Sequence, residues 1–420
     1  MVSDVVSKEE RQRLRELAKK QMEYANLDIM DERRALWYAH NRLESSRPMV
    51  VIDTDTFIGE MLPPPQCRST SARWIEGELT KEILNHEMVG DDRVVKGFFE
   101  VPWQISYREF DLDNQHRTAT DGEGRTLAYA YEHVIDDLSL DVKDLRPSVF
   151  AVDRKSTAAL LDLVTDTIGD ILPVRVGNWS LHWSLSPSIK VVRLMGLEKM
   201  MYAMADHPEE LHRLYRFIVD DTMAFVKWQE EEGLLVLNNE NHYVGTASYG
   251  FTSELPRSSI SETEAVPTTD LWANLNSQET VGISPSMFGE FVFPYYKELA
   301  EAFGLIYYGC CEPADDIFED YLSTISNLRK VSVSPWSDQR KIGELLQSRR
   351  VIFSRKPSPN YIGVSDFEEG ALADDVALTL EAARGCQLEF IYRDVYTLKG
   401  DLTRPRRAVE VIRDQIDSLW

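Results

Sequence analysis

Apolar positions recur along this chain with two different periods. In the segment 8–24, KEERQRLRELAKKQMEY, Leu14, Leu17, Ala18 and Met22 fall on one helical stripe among charges, and a second helical stretch runs through Arg33, Leu36 and Trp37. This pattern predicts an N-terminal helical extension over residues 1–47. After Arg47-Pro48 it gives way to short, strand-like apolar runs at 49–53, 94–101, 174–179, 234–238, 305–310, 328–334, 350–354 and 388–394. Helix-like stretches lie between them, among them 71–86, 188–204, 208–232, 286–303, 313–323 and 374–384. Strand and helix in alternation call for a parallel sheet, so residues 48–420 are expected to form an α/β fold, a (β/α)8 TIM barrel with long loops at its C-terminal face. An open doubly wound sheet is the alternative. No glycine-rich dinucleotide or phosphate loop follows any of the runs. Two long segments, 107–147 and 239–276, leave the ends of predicted strands, where a barrel carries its active site.

Composition narrows the function. The chain has 420 residues with 43% apolar side chains, and its glycines and prolines are spread instead of pooled, which excludes collagenous and disordered classes. A net charge of −24 repels a phosphate backbone and an anionic leaflet, so neither nucleic acid nor membrane is expected as a partner. Cys67, Cys310, Cys311 and Cys386 do not make a disulfide framework in a chain of this size. Together with the lack of a signal-peptide layout, this predicts a cytoplasmic protein.

The sharpest chemical feature is LIYYGCCEP, 305–313, a strand pattern ended by glycine and proline. Cys310, Cys311 and Glu312 at a strand end offer soft and hard ligands to zinc, and strand alternation places Tyr308, Cys310 and Glu312 on one face. The plainer reading of such a cysteine is a small core residue. Glu240 and His242 follow the run 234–238 and are candidates for a further ligand or a general acid, or are solvated loop residues. His182 lies between Trp179 and Trp183, which suits a flat apolar or aromatic substrate or a packed core histidine. Arg355, Lys356, Arg393 and Asp394 close two strands, where they would orient a carboxylate or phenolate or form structural ion pairs.

The segments Trp37…His40-Asn41, Arg47-Pro48, Leu237-Asn238-Asn239, Tyr249-Gly250-Phe251-Thr252, Glu254-Leu255-Pro256, Tyr308-Gly-Cys-Cys-Glu-Pro313, Ser332-Val-Ser-Pro-Trp336, Ser354-Arg-Lys-Pro357 and Arg393-Asp-Val-Tyr-Thr397 resemble the uroporphyrinogen decarboxylase superfamily. Within it, the chain is similar to the corrinoid-dependent methyltransferases and O-demethylase components of anaerobic bacteria. That resemblance implies the same (β/α)8 barrel, a zinc ion at its mouth, and methyl exchange with cobalt in a separate corrinoid-binding protein. Pairing of two copies in a homodimer is compatible with it. Related methyltransferases hold zinc with a His-x-Cys pair and a later Cys; here Tyr308-Gly309-Cys310 stands in that place and the last strand ends in Asp394 without a cysteine. Cys310 is carried over by position, whereas Cys311 and Glu312 are ligand proposals from this sequence. The founding decarboxylase places an arginine-rich motif after its first strand, and Pro48-Met-Val-Val-Ile-Asp-Thr54 has none, so an octa-anionic tetrapyrrole is not an expected substrate. The expected activity is methyl transfer from a small donor, an aryl methyl ether or methylamine, to a corrinoid. Zinc would act as Lewis acid, Glu240, His242 or Asp394 as proton donor, and Trp179, Trp183, Tyr249 and Trp336 as apolar walls. The alternative is a non-corrinoid decarboxylase or lyase in which Arg355 and Lys356 bind a small carboxylic acid.

Overall fold

A computed structural model describes residues 5–112, 116–120, 126–181, 184–258 and 265–420. The extension is helical: α1 (Lys8–Ala25) starts at a capping box in which Ser7 Oγ accepts from the Glu10 amide and Glu10 returns to the Ser7 amide. Its buried stripe, Leu14, Leu17, Ala18, Gln21 and Ala25, packs on the helix Thr70–Leu84. The next helix, α2 (Asp28–Asn41), brings Trp37, His40 and Asn41 into the interior.

Eight parallel strands carry the rest: β1 (Met49–Ile52), β2 (Phe99–Pro102), β3 (Val174–Gly177), β4 (Trp272–Leu275), β5 (Leu305–Tyr308), β6 (Leu328–Val333), β7 (Ile352–Arg355) and β8 (Leu388–Tyr392). Six form one parallel sheet in the order β1-β8-β7-β6-β5-β4, and β2 pairs with β3. Except for β2 and β3, these strands are buried at every position, which is why they read as unbroken apolar runs.

The expected barrel differs from this in one respect: no continuous backbone ladder closes the eight strands among the described residues. Side chains bridge the two seams. Between β1 and β2, Asp92 accepts from the Val50 amide at 2.8 Å and Asp91 from the Ile52 amide at 2.9 Å. Between β3 and β4 lies the run 234–238, which is not a strand. Asn178 donates to the Leu234 carbonyl at 2.8 Å, while Asn238 accepts from the Trp272 amide at 2.8 Å and donates to its carbonyl at 3.0 Å. Amide side chains hold this run on both sides, so it makes no ladder.

Other boundaries shift for local reasons. The strand that completes the set, β4, falls inside the segment read as a long loop. The stretch 286–303 splits into Pro285–Phe291 and Phe293–Glu301, since Pro294 has no amide proton to continue the first helix. The stretch 313–323 is turns, not helix, up to a short 3-10 turn at Leu322–Thr324. Among the described residues no helix is long and apolar enough to cross a membrane, and all four cysteines are free.

Candidate functional site

The thiol pair sits where β5 ends. Gly309 adopts φ +100°, and a Cβ there would meet the Ser332 Cβ at 2.9 Å, so the turn that lifts residues 310–312 off the strand needs glycine. Glu312 fixes the turn: its buried carboxylate accepts from the Ser277 amide at 2.8 Å and the Cys310 amide at 3.0 Å. Both oxygens are thus engaged by backbone, while burial raises its pKa. Cys310 and Cys311 hold their sulfurs 3.6 Å apart, and Cys311 Sγ lies 3.7 Å from Asp394 Oδ2, at the end of β8. The Asp394 Oδ1 accepts from Arg393 at 3.2 Å. The hydrogen bond from Cys310 draws the Cys311 thiol down toward thiolate, with Arg393 adding to it. Sharing with Cys311, and burial, push the Cys310 thiol up.

Zinc with Zn–S bonds of about 2.3 Å separates two tetrahedral thiolates by about 3.8 Å, so the pair fits two corners of such a site. A complete cage is not formed. Glu312 is held by backbone amides, Asp394 is shared with Arg393, and among the described residues no group of three His, Cys, Asp or Glu side chains is placed to hold a metal ion.

Inward from the thiols, Lys356 follows β7 and donates to Ser354 Oγ at 3.1 Å and to the Tyr307 hydroxyl. That hydroxyl also bonds Ser354 at 2.7 Å and Thr246 at 3.0 Å. Burial pushes the Lys356 amine down to about 7, partly opposed by Glu389, and its nearest polar partners are neutral hydroxyls. Thr246 tips a hairpin, Tyr243–Val244 and Ser248–Tyr249, that enters the barrel. Deeper still, Glu389 Oε2 meets Lys330 at 3.0 Å, His40 at 3.0 Å and Ser248 at 2.9 Å, with Lys330, His40 and Glu389 all fully buried.

Beside the thiols opens a cleft of about 460 Å³ at the end of β1, lined by Asp53, Asp55, Arg93, Trp179, Tyr243 and Arg393 among others. Arg393 is therefore common to the cleft and the thiol pair. Trp179 is 42% exposed, with its ring centroid 6.2 Å from that of Tyr243. Tyr249 is buried at the inner wall, with Arg93 over its ring at 5.9 Å. Burial and the neighbouring Asp55 raise the pKa of Asp53, against the pull of Arg393 and Arg93.

The structure gathers some of the expected residues and separates others. Cys310, Cys311, Asp394 and Lys356 converge on the mouth, and Trp179 and Tyr249 line the cleft. His242 lies in an adjoining pocket that shares Trp179 and Tyr243 with the cleft: its Nε2 takes a hydrogen bond from Arg175 at 2.9 Å, 3.7 Å from Glu100, and burial depresses its pKa to about 4. Glu240 is exposed, near Tyr38. Tyr308 points to the helical layer, where its hydroxyl bonds Ser277 at 2.6 Å and its ring meets Tyr296 edge-on. Alternation therefore puts Tyr307, not Tyr308, inside, and the Gly309 turn breaks the shared face expected for Tyr308, Cys310 and Glu312. Arg355 binds Asp375 at 2.8 Å and the carbonyls of Val333, at the end of β6, and Ser334. Trp336 is 76% exposed. His182 and Trp183 lie outside the described residues. Sequence reasoning passed over Asp53, Arg93 and Tyr307. Asp53 carried a usable signal, a carboxylate directly after a β-branched strand; Arg93 carried none.

No family model and no curated protein matches the chain. Among solved structures it is similar to a methyltransferase from Methanosarcina mazei, at 12% identity and a TM-score of 0.49, covering 92% of this chain and 97% of that one.

Proposed function

We propose that this chain is a methyltransferase that takes a methyl group from a small donor, of aryl methyl ether or methylamine type, and delivers it to a corrinoid carried by a separate protein. The observation that carries the reading is the thiol pair with Asp394 at the strand ends, joined through Arg393 to an aromatic-walled cleft. A corrinoid supplies a cobalt nucleophile for the methyl carbon. The chain's own task is to hold the donor and improve its leaving group. Trp179 and Tyr243 flank the space for the donor's body. Asp53, whose pKa burial raises, stands in the cleft as the group to serve the departing oxygen or nitrogen as acid. Arg393 pairs with Asp394 at 3.2 Å and so holds that side chain beside Cys311. Zinc, for which Cys310 and Cys311 fit two positions, is given no step.

The test is anaerobic: the cognate corrinoid protein in its cobalt(I) state, the enzyme, and methoxyarenes, methylamines or methyl thiols. An enzyme-dependent shift to the methylcobalt(III) spectrum is expected. Failure with every donor, together with turnover of small carboxylic acids, would replace this reading by the lyase.

A further inference from the structure

The cleft contains hydrogen-bond donors that the fold does not use. Four cationic side chains line it, and three have carboxylate partners: Lys81 with Glu78 at 2.7 Å, Lys96 with Glu100 at 3.2 Å, and Arg393 with Asp394 at 3.2 Å. Even so, Arg393 Nη1 has no hydrogen-bond partner. The fourth, Arg93, is half-buried and makes no side-chain hydrogen bond or ion pair among the described residues; the Tyr249 ring lies against it, and Glu82, Asp91 and Asp55 act on its charge without a direct bond. Other buried guanidinium groups in the molecule are engaged by protein. Arg329 binds Glu254 and the Asn41 carbonyl, Arg355 binds Asp375, and Arg404 binds three carbonyls, with only the Nε of the last two left unmet.

A guanidinium stays charged and carries five N–H donors in a planar fork that matches a carboxylate. Two with open donors on one cleft form a receptor for such a group. Both act on the Asp53 carboxyl, which places them around the same part of the cleft. Burial raises the Asp53 pKa, which weakens its competition for them. Asp55 and Glu82 line the same space and set a limit, because a second negative charge on the ligand would face them unpaired.

We infer that Arg93 and Arg393 grip the carboxylate of a small monocarboxylic acid whose neutral or cationic body lies against the wall that Trp179 and Tyr243 form. The inference rests on the methyl-transfer reading only in naming that acid the methyl donor; the binding site stands on its own geometry. An aryl body would stack on the two rings, and a methylated ammonium would sit over their faces as a cation.

Titration calorimetry on the full-length protein tests it with 3-methoxybenzoate, with trimethylglycine, and with 3-methoxybenzamide as the uncharged match. At least one carboxylate should bind, and the aryl or ammonium arm that binds tighter identifies the body. If 3-methoxybenzoate binds, it should do so at least about tenfold tighter than its amide. Arg93→Met and Arg393→Met should each weaken the carboxylate about tenfold and leave the amide unchanged, and Arg93→Lys should recover part of the loss. Thermal unfolding of each variant confirms that it is folded. Equal affinity for benzoate and benzamide, no binding of either carboxylate, or unchanged carboxylate affinity in both folded Met variants would overturn the inference. Carboxylate binding without methyl transfer to the corrinoid protein leaves this site standing and removes the methyl-transfer reading. Transfer from uncharged donors with no carboxylate preference does the reverse.

Discussion

The strand assembly holds charge in two ways, one at its floor and one at its mouth. At the floor, Lys330, Glu389 and His40 are fully buried and meet at a single carboxylate oxygen, with Ser248 as a fourth partner. Lys330 holds the Glu389 carboxylate far below the usual range although burial opposes it, and burial keeps His40 neutral. Such a cluster is closed to a ligand by burial, although Glu389 Oε1 and His40 Nδ1 have no hydrogen-bond partner among the described residues. At the mouth, Arg93 lacks a partner, Arg393 is half satisfied, and the Cys311 sulfur is only partly covered. Complete burial of paired charges signals structure, and partial exposure with unmet donors signals recognition. Residue types alone do not separate the two, because each region is a mixture of basic and acidic side chains.

The largest effect expected from this contrast is at the floor. Glu389→Ala leaves Lys330 buried without a counter-charge and should lower the unfolding free energy by roughly 3–5 kcal/mol in urea denaturation. The double change Lys330→Met with Glu389→Leu should cost less than the single one, because it leaves no orphan charge. If Glu389→Ala is neutral, the floor is not the structural half. Next comes the hairpin that joins the two regions. Gly245 has φ +63°, and a Cβ would lie 1.7 Å from Tyr307 Cδ1, so Gly245→Ala should destabilise by roughly 2–3 kcal/mol and disturb the Tyr307–Lys356 layer.

A smaller effect depends on pH. His242 has its pKa lowered to about 4 in the fold, against about 6.5 when unfolded. The unfolded chain therefore binds a proton that the folded one refuses. This contribution is complete above pH about 6.5 and is lost as pH falls toward about 4, at up to about 1.4 kcal/mol per pH unit. His242→Gln should flatten that part of the stability profile; an unchanged slope would mean that His242 is solvated. The smallest change in stability belongs to the mouth. Cys311→Ser and Arg93→Met should each stay within about 0.5 kcal/mol of the parent, while Cys311→Ser removes at least about 99% of methyl transfer if the proposed reaction is correct. A mouth variant as destabilising as Glu389→Ala would erase the contrast.

Periodicity made the helical extension, the parallel α/β character and most of the strands legible, because strands buried on both faces leave continuous apolar runs such as Met49-Val-Val-Ile52. It placed the thiol pair at a strand end, where Gly309 and Pro313 mark the stop. It failed at β4, whose Trp-Ala-Asn-Leu carries a polar side chain among apolar ones. It failed too at 234–238, where an apolar run meets its neighbours through Asn178 and Asn238 instead of through backbone. The orientation of one residue pair was also out of reach: Tyr307 and Tyr308 are chemically alike, and only the strand's position in the sheet decides which faces the axis.

What the sequence determined by itself is whatever depends on neighbours along the chain: the stripe of α1, the capping box at Ser7, the turn at Gly309, the adjacency of Cys310 and Cys311. The tertiary structure decided which distant groups meet. Asp394 comes to Cys311 across 83 positions, Lys330 to Glu389 across 59, and Arg93 reaches the cleft wall beside Arg393 with no partner of its own. Partnership between charges falls steeply with distance and with access to water. Neither quantity is written in the order of residues, so which charges are spent on the fold and which are left for a ligand emerges only when the strands are assembled.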